Sequence, residues 1–110
     1  MKLVLSTCVA AIALIESAFA QAITVVNGHP TQSIVRLEAI TEHDGVVLEA
    51  SVDLYLAPGE DREVKMGSLE GDCEFTLIAT FEDDLAIQAR GVDVCKSPIW
   101  TVLDGDFRID

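Results

Sequence analysis

Basic residues are scarce in this chain. Its 110 residues include 7 lysines and arginines against 19 aspartates and glutamates, for a formal net charge of −12. A surface with this balance repels phosphate backbones and anionic lipid headgroups. The composition therefore argues against nucleic-acid and membrane-surface binding and leaves cationic partners open. A simpler interpretation is that the charge keeps the protein soluble and discourages self-association.

Residues that carry common catalytic chemistry are also few. The two histidines, His29 and His43, lie in predicted turns, and neither accompanies a nucleophile motif such as Gly-x-Ser-x-Gly. We expect both to be solvated turn residues. The cysteines and histidines do not show the spacing of zinc ligands. The sequence thus predicts a protein that is not an enzyme and has no cofactor and no metal site.

Carboxylates are the abundant reactive side-chain group, and they leave two alternative functions open. Residues 82–84 and 104–106 each cluster acids in a predicted loop, which would suit a calcium-dependent structural or adhesive module. Neither cluster continues as an EF-hand loop, and acids also populate turns because they bond to their own backbone. Paired acids could also hydrolyse glycosides. A small hydrolase is the least favoured function, since so short a chain has little material for a cleft.

The N-terminus has the pattern of a secretory signal peptide. Lys2 precedes an uncharged, mostly apolar run over residues 3–15, and Ala18 and Ala20 supply the small residues of a cleavage site. Cleavage after Ala20 is favoured, with Ala22 as the alternative. The run is shorter than the ~20 residues of a membrane-spanning helix. We therefore expect residues 1–20 to be removed, residues 21–110 to form one domain without membrane insertion, and the protein to be exported, either periplasmic or secreted.

Cysteine is rare, and its placement is informative. Once Cys8 leaves with the leader, Cys73 and Cys95 form an even pair in an oxidising compartment. A domain of this size buries only about 60 to 65% of its unfolded surface, so a covalent cross-link is valuable. The sequence predicts one disulfide between these residues.

Sustained helical periodicity is missing after the leader, whereas alternation of apolar and polar residues is frequent. Turn signals rich in Gly, Pro, Asp and Asn separate the alternating runs. The predicted strands cover residues 22–27, 33–41, 46–56, 62–67, 73–81, 86–94 and 99–103, with an extension of the last to 109 as an alternative. About seven short strands indicate an all-β fold, an antiparallel β-sandwich. The clearest strand is 46–56, in which the even-numbered residues from Leu48 to Leu56 are all apolar.

The two cysteines also predict a particular hairpin. An antiparallel turn centred on Asp84 pairs residue 81 with 87, 79 with 89, 77 with 91, 75 with 93, and Cys73 with Cys95. This register places the sulfurs on the same face as Phe75 and Phe81. Closing such a loop stabilises a fold by about 3 kcal/mol.

Aromatic residues make up only 5% of the chain. Tyr55 falls on the polar face of its predicted strand, which makes it a candidate for a contact surface. Trp100 is a candidate for the same surface as an exposed platform, although burial in the core is favoured for it.

A set of short segments resembles a group of small, uncharacterised, exported bacterial β-domain proteins. The most distinctive are Gly71-Asp72-Cys73 and Gly91-Val92-Asp93-Val94-Cys95, a Gly-x-Cys and Gly-Val-Asp-x-Cys pattern. The other segments that carry the resemblance are Asn27, 34–37, 54–59, Val64, Glu74-Phe75, and Phe81 with Asp83. The chain departs from the pattern in having Phe75 where tyrosine is expected, and in a longer apolar segment over 46–56. The resemblance implies a bacterial, periplasmic protein and supports the disulfide, but it brings no activity.

The leading hypothesis for function is a non-catalytic, exported domain that binds an as yet unidentified protein partner. Small β-sandwiches leave strand edges exposed, and peptide recognition often uses such edges.

Overall fold

The computed structural model describes residues 22–66 and 73–110 as a β-sandwich. The predicted leader and the turn predicted at 69–72 lie outside these residues. The strands are, in chain order, β1 (Ala22–Asn27), β2 (Ile34–His43), β3 (Val46–Leu56), β4 (Asp61–Lys65), β5 (Glu74–Phe81), β6 (Ala86–Asp93), β7 (Ile99–Val102) and β8 (Phe107–Ile109). The all-β prediction is confirmed, with eight strands because β8 is separate from β7. In the described part of the chain, no helix is long and apolar enough to cross a membrane.

The strands form two four-stranded sheets, with orders β4-β1-β7-β8 and β3-β2-β5-β6. Neighbouring strands are antiparallel, except that β1 and β7 are parallel. The second sheet lies between β1 and β7 in the sequence, which supplies the long crossover that parallel neighbours require. The predicted antiparallel sandwich is thus correct for all pairs but this one.

The core lies between the sheets and follows the period of two. Strands β1 and β5 alternate between buried and partly exposed positions along their length. The buried apolar side chains are Ile23, Val25, Ile34, Leu37, Ala39, Leu56, Met66, Phe75, Leu77, Ala79, Phe81, Ala89, Val92, Val94, Trp100 and Val102. The predicted alternation of β3 is also present, since Leu48, Ala50 and Leu54 pack against this core.

The β5–β6 hairpin forms, but the predicted register is wrong. Ala79 pairs with Ile87 and Leu77 with Ala89, so each partner on β6 lies two residues nearer the turn than predicted. The loop is tighter because Asp84 adopts a left-handed φ of 69°. The amide of Phe81 donates to the carbonyl of Leu85 at 2.9 Å, which leaves only residues 82–84 in the loop.

A bulge at Gly91 then changes which side of β6 faces the core. Phe75 pairs with Val92, so two β6 residues, at 90 and 91, oppose one on β5. Gly91 has a φ of +67°, as in a bulge built around a left-handed glycine. Beyond the bulge Val92 and Val94 are buried, and positions 91, 93 and 95 do not face the core as predicted.

The predicted disulfide is present. Cys73 and Cys95 are bonded, with their Cα atoms 5.2 Å apart. Both residues are exposed, so the sulfurs lie at the surface and not among the apolar side chains. The tighter loop moves the β6 partners two residues toward the turn, and the bulge moves them back by one. Cys73 and Cys95 therefore stay close enough to bond although the predicted strand register is wrong.

Candidate binding site

The sheets have four edge strands, and three of them carry features that discourage pairing with another chain. Strand β8 has three residues, β4 has five with charged side chains at four positions, and β6 is bulged at Gly91. Short, charged or bulged edges are the usual protections against edge-to-edge association. Strand β3 differs, because it has 11 residues and pairs along one side with β2 in unbroken register over residues 46–53, with a bulge only near its end, between Asp53 and Leu56. No described strand pairs with its other side.

The outward backbone groups of β3 can be assigned from its hairpin. The turn at Asp44 and Gly45 has positive φ at both residues, as in a two-residue type I′ connection. In such a hairpin the flanking pair, here His43 and Val46, exchanges both hydrogen bonds, and later pairs alternate. The N–H and C=O groups of β3 that face away from β2 therefore belong to residues 47, 49, 51 and 53. They form a row that an extended segment could bond.

Apolar side chains accompany this free edge. Val46, Val47, Val52 and Tyr55 are exposed by 45 to 60%, although they occupy a single strand. The other large exposed apolar residues of the described surface are Leu85, between β5 and β6, and Ile99 and Ile109, on the neighbouring strands β7 and β8. A long edge strand with exposed apolar residues is an expected site of association.

A cleft of about 240 Å³ lies between the two sheets beside this edge. Both edge strands on that side, β3 and β4, line it, together with residues of β1, β2, β5 and β7. The lining residues are Ile23, Leu37, Glu38, Ala39, Ala50, Ser51, Val52, Val64, Lys65, Met66, Leu77 and Trp100. Val52 lines the cleft yet is 45% exposed, so the cleft opens to solvent next to β3.

The size and lining of the cleft limit what it can hold. Cavities of about 150 Å³ can hold benzene, whereas pockets for drug-sized ligands are about 300–1,000 Å³. This cleft thus suits one apolar side chain or a similarly small group. Its lining is mainly apolar; the charged residues that border it are Lys65 and Glu38, and the side chain of Glu38 projects to the outer face of β2.

Trp100 has a buried hydrogen-bond donor without a partner. The residue is 1% exposed, and its indole Nε1 has no hydrogen-bond partner among the described residues. Leaving such a buried donor unpaired costs about 1–3 kcal/mol. The residue also lines the cleft, but Nε1 itself is buried and is not accessible from it.

The two residues predicted as a contact surface differ in their exposure to solvent. Tyr55 is 60% exposed on the outer face of β3, as expected. Trp100 is in the core, so the exposed platform is wrong and the favoured alternative of burial is correct. Packing of β7 between β1 and β8 places this side chain in the interior. Trp100 contributes to the candidate site only as part of the cleft lining, from the interior of the sandwich.

His29 is not the solvated turn residue that was predicted. Its side chain is 11% exposed, and its ring packs on Phe81 with 4.8 Å between centroids. Its Nδ1 accepts backbone hydrogen bonds from Thr31 at 3.0 Å and Gln32 at 2.9 Å, and its Nε2 lies 3.5 Å from a carboxylate oxygen of Asp104. The ring is therefore used to order the β1–β2 loop. The side chain of His43 lies outside the described part of the structure.

Two acids of the predicted calcium loops, Asp83 and Asp106, bond to nearby backbone. A carboxylate oxygen of Asp83 accepts from the amide of Leu85 at 3.1 Å, and one of Asp106 accepts from Phe107 at 2.8 Å. Within residues 22–66 and 73–110, the one close group of three or more potential ligands is Cys73, Asp93 and Cys95. Its two sulfurs form the disulfide. These contacts agree with the turn-forming role of the acids.

Sequence reasoning did not identify the cleft itself. Val64 near the end of β4 and Met66 just after it are apolar residues in a charged stretch, which is the one local signal of an inward-facing lining. The other lining residues have an ordinary core pattern. Comparison of the chain with protein families, curated proteins and solved structures gave no match. The resemblance to exported bacterial β-domain proteins therefore stays a prediction.

Proposed function

We propose that this protein is a non-catalytic binding domain that captures an extended segment of a partner protein by strand addition to β3. The segment would bond to the outward N–H and C=O groups of residues 47, 49, 51 and 53. Main-chain hydrogen bonds of this kind supply affinity without requiring a particular sequence, while side-chain pockets supply selectivity.

The observation that carries the proposal is the contrast among the sheet edges. Strand β3 is the longest strand described, and its free edge carries the apolar side chains of Val47, Val52 and Tyr55. A protein that gained nothing from this edge would be expected to protect it, as the other three edges are protected.

We further propose that this domain works outside the cytoplasm after removal of residues 1–20, in the periplasm or as a secreted protein. The Cys73–Cys95 disulfide supports this location, because such bonds persist in oxidising compartments.

A proline on β3 provides the test. In Ser51→Pro the lost N–H belongs to the outward row, so the β2–β3 ladder keeps its bonds while the free edge is interrupted. Ser51→Thr is the matched control, because it keeps the N–H and favours a strand. Peptides selected against the wild-type protein from a displayed random library would be titrated into both variants.

Selected peptides should bind wild-type protein and Ser51→Thr but lose at least about tenfold in affinity for Ser51→Pro, which corresponds to 1.4 kcal/mol. Amide hydrogen exchange should slow at Val47, Glu49, Ser51 and Asp53 in the complex. Equal affinity for both variants would contradict the proposal, as would a library that yields no binding peptide. Circular dichroism and melting of the free variants establish that Ser51→Pro is folded.

A further inference from the structure

From the acidic outer face of the β2–β3 hairpin and the apolar cleft beside β3, we infer that the captured segment is cationic and that its basic and apolar residues alternate. Lysine or arginine occupies its outward positions, and one of its inward apolar side chains is seated in the cleft between the sheets. This inference rests on the proposed strand addition and names the partner that it would take.

The outer face of the β2–β3 hairpin is acidic. Glu49 pairs with Ile40 across the hairpin and makes no ion pair with a described residue, while Asp53 pairs with Arg36, whose Nε lies 3.6 Å from a carboxylate oxygen. Glu38 and Glu42 lie on the same face. Four acids against one arginine leave this face negative, in a chain whose net charge is −12.

Strand addition fixes which residues of the segment meet these acids. Side chains of neighbouring strands at the same level share a face, and opposite charges there are favourable whereas like charges are unfavourable. Residues of the segment on the level of Glu49 and Asp53 would point outward, so positive side chains suit those positions. Residues on the level of Ala50 and Val52 would point toward the cleft, so apolar side chains suit these.

The cleft supports the assignment of apolar side chains to the inward positions of the segment. Ala50 and Val52 of β3 line it, and its volume of about 240 Å³ suits one side chain. Trp100 of β7 also lines it and adds to its apolar surface. Trp100 is also the one tryptophan of the chain, so its fluorescence reports directly on whether the cleft is filled.

The probe is the heptapeptide Lys-Val-Lys-Leu-Lys-Val-Lys, compared with a peptide in which glutamate replaces every lysine and one in which serine replaces every apolar residue. Affinity would be measured by calorimetry at low and at high ionic strength. Emission of Trp100 would be followed in the same titrations.

We expect the lysine peptide to bind at least about tenfold more tightly than the glutamate peptide, with an advantage that shrinks as salt is added. The serine peptide should bind weakly and leave the emission of Trp100 unchanged. Neutralising Glu49→Gln with Asp53→Asn should lower the affinity for the lysine peptide several-fold. The control variant, Asp84→Asn with Asp106→Asn, removes the same amount of charge from two loops away from β3 and should have little effect.

A cleft-filling variant tests the anchor separately. Ala50→Leu should remove the Trp100 response and lower affinity about tenfold, and Val52→Phe repeats this test at a side chain that is already 45% exposed, should Ala50→Leu fail to fold. Equal binding of the lysine and glutamate peptides would overturn the cationic partner. Binding without a Trp100 response would overturn the anchor.

These failures are distinguishable from failure of strand addition itself. If library peptides bind through β3 but have no basic pattern, strand addition stands and the inferred partner is wrong. If the protein alone forms a dimer in sedimentation experiments, and Ser51→Pro abolishes it, the occupant is a second copy of the chain and the inferred partner is again wrong.

Discussion

At the scale of single residues, Asn27 shows how a polar side chain can organise a loop from inside the protein. Its side chain is fully buried at the end of β1. The amide nitrogen donates to the carbonyls of Gln32 at 2.9 Å and Leu56 at 2.8 Å, and the amide oxygen accepts from the backbone of His29 at 2.9 Å. One side chain thus joins the end of β1, the loop that follows and the end of β3.

We expect Asn27→Leu to lower the free energy of unfolding by about 2–4 kcal/mol, because it leaves two backbone carbonyls and one amide without their partner. Urea unfolding followed by circular dichroism measures this change. Gln88→Leu, at an exposed amide on β6, is the control and should change stability by less than about 0.5 kcal/mol. Similar losses in the two variants would show that the bonds of Asn27 contribute little.

At the scale of elements, the β5–β6 hairpin depends on a conformation that few residues accept. Gly91 has a φ of +67°, and a Cβ placed there would meet nothing closer than a carboxylate oxygen of Glu74 at 3.9 Å. The position has room for a side chain, so its requirement for glycine is conformational. The bulge at this residue turns Val92 and Val94 into the core and leads the chain toward the disulfide.

Gly91→Ala should therefore cost about 1–2 kcal/mol, the penalty for a left-handed residue with a Cβ. Gly91→Asn should cost less, since asparagine tolerates this region of φ and ψ. Thermal or urea unfolding of both variants provides the comparison. If asparagine destabilised the protein more than alanine, crowding and not φ would control the site.

The disulfide closes the same hairpin. It joins residues 22 apart in sequence, and a loop of this length corresponds to about 3 kcal/mol in the chain-entropy description. We expect Cys73→Ser with Cys95→Ser to lose that amount of stability. The wild-type protein should lose the same amount under reducing conditions, while the double variant should not respond to the reductant. An unchanged urea midpoint after complete reduction would mean that the cross-link constrains the unfolded chain little.

At the scale of the whole molecule, the net charge of −12 acts as a self-repulsion that folding must overcome. Ions that screen this repulsion should stabilise the folded state, whatever their identity. A specific calcium site would behave differently, because a ligand of the native state raises the melting midpoint by mass action.

We expect calcium and magnesium at equal millimolar concentrations to raise the melting midpoint by the same amount, and chelator to reverse both effects. The carboxylates of Asp83 and Asp106 are bonded to backbone, and the acidic loops form no close cluster in the described part of the chain, so no preference for calcium is expected. Differential scanning calorimetry measures the midpoints. A clearly larger rise with calcium would favour the calcium-dependent module instead.

The sequence by itself determined the class of fold and its covalent cross-link. Period-two alternation and turn residues are local properties, so the strands of 22–27 and 46–56 and the pairing of Cys73 with Cys95 could be predicted from the chain. Tyr55 could be placed on an exposed face for the same reason.

Tertiary structure decided what is not local. The register of β5 and β6 depends on backbone conformations at Asp84 and Gly91, and alternation alone does not reveal a left-handed φ. The parallel pairing of β1 with β7 and the free edge of β3 depend on how distant strands assemble into sheets. The cleft beside Trp100 exists only where two separate sheets meet, so its lining residues had the appearance of ordinary core in the sequence.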